Sequence, residues 1–152
     1  MFQRVREKKL LNDKKTDIER LKPMESVSVD ICYFEAVPYL VLVDEYSRYK
    51  AGWRIKDSST KSVVNQLEQF FSVVGIPIIL RSDGGPAFRN SFRKWCNSMG
   101  IIHSVSSPYH PQANGAAECG VREFKMLLKT TKAKGLKLRW LLLKLNNMQR
   151  QQ

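Results

Sequence analysis

The sequence predicts an α/β fold: a mixed five-stranded sheet, an antiparallel meander extended by parallel strands, with helices on its faces. Three observations carry this. Three β-type segments follow one another between Ser26 and Ile55 with only short connections, which is the pattern of a meander. Beyond Ser59, helical periodicity alternates with short apolar runs, and strands joined through helices add in parallel. The 152 residues suit one domain and are enough to bury a sizeable core.

Ser26-Val27-Ser28-Val29-Asp30-Ile31 alternates and is β-branched, as a strand should be. Tyr39-Leu40-Val41-Leu42-Val43 is continuously apolar and fits a central strand covered on both faces. Tyr49 to Ile55 forms the third strand. From Ser59 to Val74 the period becomes helical: Val63, Val64, Leu67, Phe70, Phe71 and Val74 fall at spacings of three and four, with Thr60 placed to cap the start. Gly75 and Pro77 stop that helix. Ile78-Ile79-Leu80 is a short buried strand, followed at once by Asp83 and the pair Gly84-Gly85. Phe88 to Met99 is a second amphipathic helix, with Phe92, Trp95, Cys96 and Met99 inward and Gly100 as its stop. Ile101 to Val105 is the last strand. Ser106 to Gly115 is a loop rich in Ser, Pro, Asn and Gly. A long helix then carries Glu118, Val121, Phe124, Lys125 and Leu128 to about Gly135, and a final one from about Leu138 carries Trp140, Leu141, Leu142 and Leu145. The expected organisation is a basic linker or peripheral helix over residues 1–25, a core over 26–135, and a basic amphipathic helix, cut short, over 136–152.

The charge is the unusual quantity. Twenty-six Lys and Arg stand against 14 acids, a net +12, and a polyanion is the natural partner of such an excess. From Cys119 onward nine bases face one acid, Glu123, so +8 of the total lies in the C-terminal third. Cys32, Cys96 and Cys119 are odd in number and widely spaced, which suits a reducing compartment rather than a disulfide framework. His103 and His110 lack zinc-type spacing. With no apolar run of about 18 residues and no apolar leader, the expectation is an intracellular protein, nuclear or cytoplasmic, neither secreted nor membrane-bound.

Most acids lie where solvated charges belong, but three do not. Asp30 sits inside an apolar strand, Asp83 ends a buried strand, and Glu118 opens a helix after a loop. A strand end in an open α/β sheet is where ligands usually bind. Carboxylates drawn together from remote positions repel unless a cation holds them, and Mg²⁺ takes oxygen ligands only. Taken singly, each acid also fits a cap, a turn former or a surface charge. Asp44 and Asp57 illustrate this, since both lie near strand ends and read as turn formers.

Arg81-Ser82-Asp83-Gly84-Gly85-Pro86-Ala87-Phe88 resembles the Ser-Asp-Asn-Gly-x-x-Phe segment of retroviral and long-terminal-repeat retrotransposon integrases. Ser106-Ser107-Pro108-Tyr109-His110-Pro111-Gln112-Ala113-Asn114-Gly115-Ala116-Ala117-Glu118 resembles the ordered signature of their Ty3/gypsy branch, and Tyr39 to Arg48 resembles that family's second strand. The resemblance spans about Val27 to Lys134. It implies a ribonuclease-H-like catalytic core with an Asp-Asp-Glu triad, in which Asp30, Asp83 and Glu118 hold two Mg²⁺ or Mn²⁺ ions and no small-molecule cofactor is needed. It implies DNA as partner, both element ends and target, and a homo-oligomeric assembly. Arg122 and Lys125 follow Glu118 by four and seven residues, share its helix face, and match basic positions that hold viral DNA ends; Lys129 continues that row. Asn114 falls in the loop beside the third acid as a DNA contact, while as a turn former it would be equally at home. His103 and His110 read as structural or loop-shaping, and Gly84-Gly85 as turn flexibility.

The departures are specific. The spacing from Asp83 to Glu118 is one residue shorter than usual, with the deletion between Phe88 and Phe92 at a helix start. Gly84 replaces the usual Asn, and Cys119 a common Arg. The family's preceding zinc domain and following DNA-binding tail are missing, the mark of a fragment or a relic reading frame. The resemblance implies a polynucleotidyl transferase performing 3′-end processing and strand transfer. The alternatives are a catalytically degenerate, integrase-derived nucleic-acid-binding domain and an RNA:DNA hybrid nuclease of the same fold.

Overall fold

The computed structural model describes residues 22–106 and 115–150. In chain order it contains β1 (Ser26–Phe34), β2 (Val37–Asp44), β3 (Lys50–Arg54), α1 (Thr60–Val74), β4 (Ile79–Ser82), a 3₁₀ turn (Pro86–Phe88), α2 (Asn90–Ser98), β5 (Ile102–Val105), α3 (Gly115–Lys134) and α4 (Leu138–Arg150). The sheet order is β3-β2-β1-β4-β5. β1 pairs with β2, and β2 with β3, antiparallel; β4 joins β1, and β5 joins β4, in parallel. The mixed five-stranded sheet anticipated from the sequence is therefore the one observed.

Strand alternation divides the molecule into two cores. Val27, Val29, Leu40, Leu42, Ala51 and Leu80 face the side covered by α1 and α2, where they meet Val63, Leu67, Phe71, Phe92 and Cys96. Cys32, Val41 and Val43 face the other side and meet Phe124 and Leu128 of α3. Two glycines let α3 approach: a Cβ on Gly120 would overlap Val43 Cγ2, and one on Gly52 would overlap the Phe124 ring. Backbone-close packing of this kind needs residues without side chains.

Element ends differ from the expectation in small ways. The N-cap of α1 is Ser59, whose side chain accepts from Ser62 N at 3.2 Å. Thr60 instead donates to Ala87 O at 2.8 Å, tying α1 to the turn after β4. Residues 86–88 form a separate 3₁₀ turn, and α2 begins only at Asn90, so the shortened stretch falls at the junction of turn and helix. Asp44 and Asp57 are turn formers as read. Asp44 accepts from Tyr46 N and Ser47 N, and Asp57 accepts from Ser59 N and Ser62 Oγ. The Ser59 hydroxyl, then the Ser62 hydroxyl and Ser59 N, hold the Asp57 carboxyl down at about 2.

The C-terminal helix has an identifiable task. β3 is an edge strand, and edges left bare invite pairing with other chains. Asn146 of α4 closes this edge: Lys50 N donates to Asn146 Oδ1 and Asn146 Nδ2 donates to Lys50 O, both at 2.8 Å. The buried Lys50 ammonium also pairs with Glu123 of α3 at 2.7 Å.

Candidate active site

β1 brings Asp30 to the face of the sheet that α3 covers. Its cross-strand partner is Val41, which belongs to the α3-side core, and a strand places its side chains on alternate faces. β4 runs parallel to β1 with Ser26 opposite Ile79, Val27 opposite Leu80 and Ser28 opposite Arg81. Continued two residues, that register puts Asp83 opposite Asp30, and the alternation puts it on the same face. The chain fixes the Asp83 side chain immediately: Gly85 N donates to its Oδ1 at 2.9 Å, and a Cβ at Gly85 would come within 2.9 Å of that oxygen. Gly84-Gly85 is thus a turn that holds a carboxylate.

Glu118 lies in the first turn of α3, which packs against β1 and β2. Both other acids act electrostatically on Asp30. The Asp30 carboxyl is pushed up to about 6, mainly by burial and then by the Asp83 charge. Ile31 N, donating to Asp30 Oδ1 at 2.8 Å, pulls it back; Glu118 raises it further and Lys125 lowers it. Asp83 and Glu118 thus both lie close enough to Asp30 to act on it. Among the described residues, no three His, Cys, Asp or Glu side chains converge tightly enough, as they stand, to hold an ion. Glu118 is the exposed member of the trio. The donor set is nevertheless the right chemistry for a hard cation, because all three candidate ligands are carboxylates and Mg²⁺ takes oxygen ligands.

Arg122, Lys125 and Lys129 are all exposed on α3. Lys125 is close enough to act on both Asp30 and Cys32, so this basic row borders the acids. Asn114 and His110 lie outside the described residues. His103 is structural, as read from the sequence: its Nε2 is 2.7 Å from Ser82 Oγ, Phe92 packs edge-on against its ring, and burial lowers its pKa to about 4. Burial likewise pushes the Cys96 thiol up to about 12. The sequence reading missed a polar cluster beside the acids, formed by Ser26, Ser28, Glu45 and Arg81. Its signal was the two serines, which alternate on β1 in phase with Asp30.

The integrase core domain model matches residues 20–111, more than half of the chain. The chain belongs to the integrase core domain family. The matched stretch contains Asp30 and Asp83 and ends before Glu118. The family member is 38% identical over 90 residues to the Pro-Pol polyprotein of simian foamy virus type 1, covering 59% of the chain and 8% of the polyprotein. It is 34% identical over 79 residues to the Gag-Pro-Pol polyprotein of simian retrovirus SRV-2, covering 51% of the chain and 4% of the polyprotein. The chain thus spans under a tenth of the length of these two relatives. Its fold is that of the catalytic core domain of BIV integrase, with a TM-score of 0.65, 22% identity and 78% of each chain covered. A simian T-cell lymphotropic virus intasome in complex with PP2A regulatory subunit B56 gamma gives a TM-score of 0.69 at 25% identity, over 80% of this chain and 46% of that one. The architecture is accordingly ribonuclease-H-like. No helix among the described residues is long and apolar enough to cross a membrane.

Proposed function

We propose that this integrase core is a DNA-cutting and DNA-joining polynucleotidyl transferase whose centre is Asp30, Asp83 and Glu118. The observation that carries the proposal is that the parallel register of β1 and β4, continued, sets Asp30, within β1, beside Asp83, just past the end of β4, on the face covered by the helix that bears Glu118. Burial, and then the Asp83 charge, raise the Asp30 carboxyl, and a bound cation would favour its charged form. Mg²⁺ or Mn²⁺, two ions held by these three carboxylates, supplies the Lewis acidity that activates an attacking oxygen and stabilises the leaving oxygen of a phosphodiester. Gly85 N holds the Asp83 side chain by donating to its Oδ1 at 2.9 Å.

The substrate side of the proposal rests on charge. Arg122, Lys125 and Lys129 present an exposed basic row along α3 and bind the phosphates of element-end and target DNA, with Asn114 contacting DNA from the preceding loop. In this reading residues 26–135 are the catalytic core, 136–152 a basic amphipathic helix, and 1–25 a basic linker or peripheral helix. Likeness to an intasome chain supports a homo-oligomeric assembly on DNA.

The test is a strand-cleavage and joining assay on a duplex carrying a retroelement end. The chain should yield shortened and joined products with Mg²⁺ or Mn²⁺, and none with Asp83→Asn or Glu118→Gln. DNA binding without products under either metal would replace this reading with that of a nucleic-acid-binding domain.

A further inference from the structure

Beside the aspartates, on the face that α3 covers, lies a polar cluster that the proposed chemistry does not use. Arg81 is the register partner of Ser28 on β1 and of Ser104 on β5, so its side chain rises on the face of Asp30, one step earlier along the sheet. Two residues along a strand span about 6.6 Å, so an extended arginine at this position reaches the Asp30 and Asp83 carboxylates. The Arg81 side chain is turned the other way. Its Nε lies 3.0 Å from Oε1 and 3.3 Å from Oε2 of Glu45, and its Nη1 lies 3.5 Å from Ser104 Oγ.

Glu45 is itself fixed from several directions. Ser26 Oγ donates to Oε2 at 2.8 Å, Ser28 Oγ donates to Oε1 at 2.7 Å, and Glu45 N donates to Ser26 O at 3.0 Å. Both serines are buried, so the carboxylate is held where the arginine must come to it. A cation within roughly 4–6 Å of a carboxylate favours its charged form and competes with any other cation for it. The basic residue that acts on Asp30 is Lys125 of α3.

We propose that Glu45 is a positioning residue that sequesters Arg81, leaving the Asp30, Asp83 and Glu118 carboxylates free for a divalent cation. This rests on reading those three acids as cation ligands. The geometry gives the arginine two alternative partners on one face, Glu45 and the acid cluster, and the serine pair on β1 decides between them.

The test titrates Mg²⁺ alone, without DNA, into the whole chain and follows the rise in melting temperature of each variant above its own metal-free value. Glu45→Gln keeps an oxygen acceptor for the serines but loses the charge that holds the guanidinium. Its apparent Kd for Mg²⁺ should rise about tenfold, the size of effect a newly arrived cation has on a neighbouring carboxylate. Arg81→Met removes the competitor and should bind Mg²⁺ at least as tightly as the wild type, and Glu45→Gln with Arg81→Met should return to the wild-type Kd. A wild type that binds and a Glu45→Gln that binds equally well overturns the inference and leaves the cation site standing. Equal weakening in both single variants with no rescue in the double also overturns it, since a mere structural strap behaves that way. Should Glu45→Gln fail to fold, Arg81→Met decides: weaker binding in the folded variant overturns the inference. No metal response in the wild type overturns the cation-site reading and this inference together.

Discussion

Asp83 stands opposite Asp30 in the continuation of the parallel register that pairs Ser26 with Ile79, Val27 with Leu80 and Ser28 with Arg81. The relationship is a consequence of backbone pairing: the parallel register and strand alternation set both side chains on one face, Asp30 within β1 and Asp83 just past the end of β4. Nothing in the ladder rewards placing two carboxylates together. Burial and the Asp83 charge raise Asp30 to about 6, so the fold bears a local cost at this pair. Such sites of conflict between packing and charge are where function is expected to lie.

The basic row of α3 gives a prediction in salt. Binding of duplex DNA should weaken steeply as salt rises, because each neutralised phosphate releases counterions. Arg122→Ala and Lys125→Ala should each shallow the plot of log K against log salt by about one unit. The check is a fluorescence-anisotropy titration at several salt concentrations. An unchanged slope in both variants would remove this face from the DNA contact.

The close approach of α3 gives a prediction in stability. Gly120→Ala and Gly52→Ala each place a methyl group into an occupied position, against Val43 and against the Phe124 ring. Each should lose about 1–3 kcal/mol, the usual range for overpacking, and Gly120→Ala should also weaken the metal response because Glu118 rides on the same helix. Urea unfolding measures the first effect. Wild-type stability in both variants would mean that α3 does not sit this close to the sheet.

His103 gives a prediction in pH. Its folded pKa is depressed to about 4 from the ordinary 6.5, by burial and then by Arg93. The stability it contributes is present above pH 6.5 and is lost as pH falls through the window down to about 4, where the unfolded chain takes up the proton first. Since the ring is only partly buried, the loss should be about 1–2 kcal/mol. His103→Gln should lack it, so the stability difference between wild type and variant should shrink from pH 7 to pH 4.5. A constant difference across that range would contradict the assignment.

Much of this was legible in the sequence because it depends on local pattern. The β-branched alternation of residues 26–31, the apolar run of β2 and the helical spacing of Val63, Leu67 and Phe71 each reflect one face meeting one core. Asp30, Asp83 and Glu118 stood out as candidate motif positions, and Asp83 as a residue at the end of a buried strand. What stayed hidden depends on pairing between distant segments. The Arg81–Glu45 contact joins residues 36 apart. The Asn146 bonds that close the β3 edge reach across 96 positions, and no periodicity announces them. Gly52 and Gly120 carry no local signal either, since what requires them is the close approach of α3 to the strands.

The central claim is that Asp30, Asp83 and Glu118 act as one cation-binding centre, and the most direct measurement is the melting temperature of the metal-free chain against added Mg²⁺. The wild type should gain several degrees as Mg²⁺ passes its Kd, because a ligand bound only by the folded state stabilises it. Asp83→Asn should melt at or slightly above the wild-type temperature without metal, having lost a repelling charge, and should lose most of the gain with it. A wild type that does not respond to Mg²⁺, or an Asp83→Asn that responds as fully as the wild type, would contradict the claim.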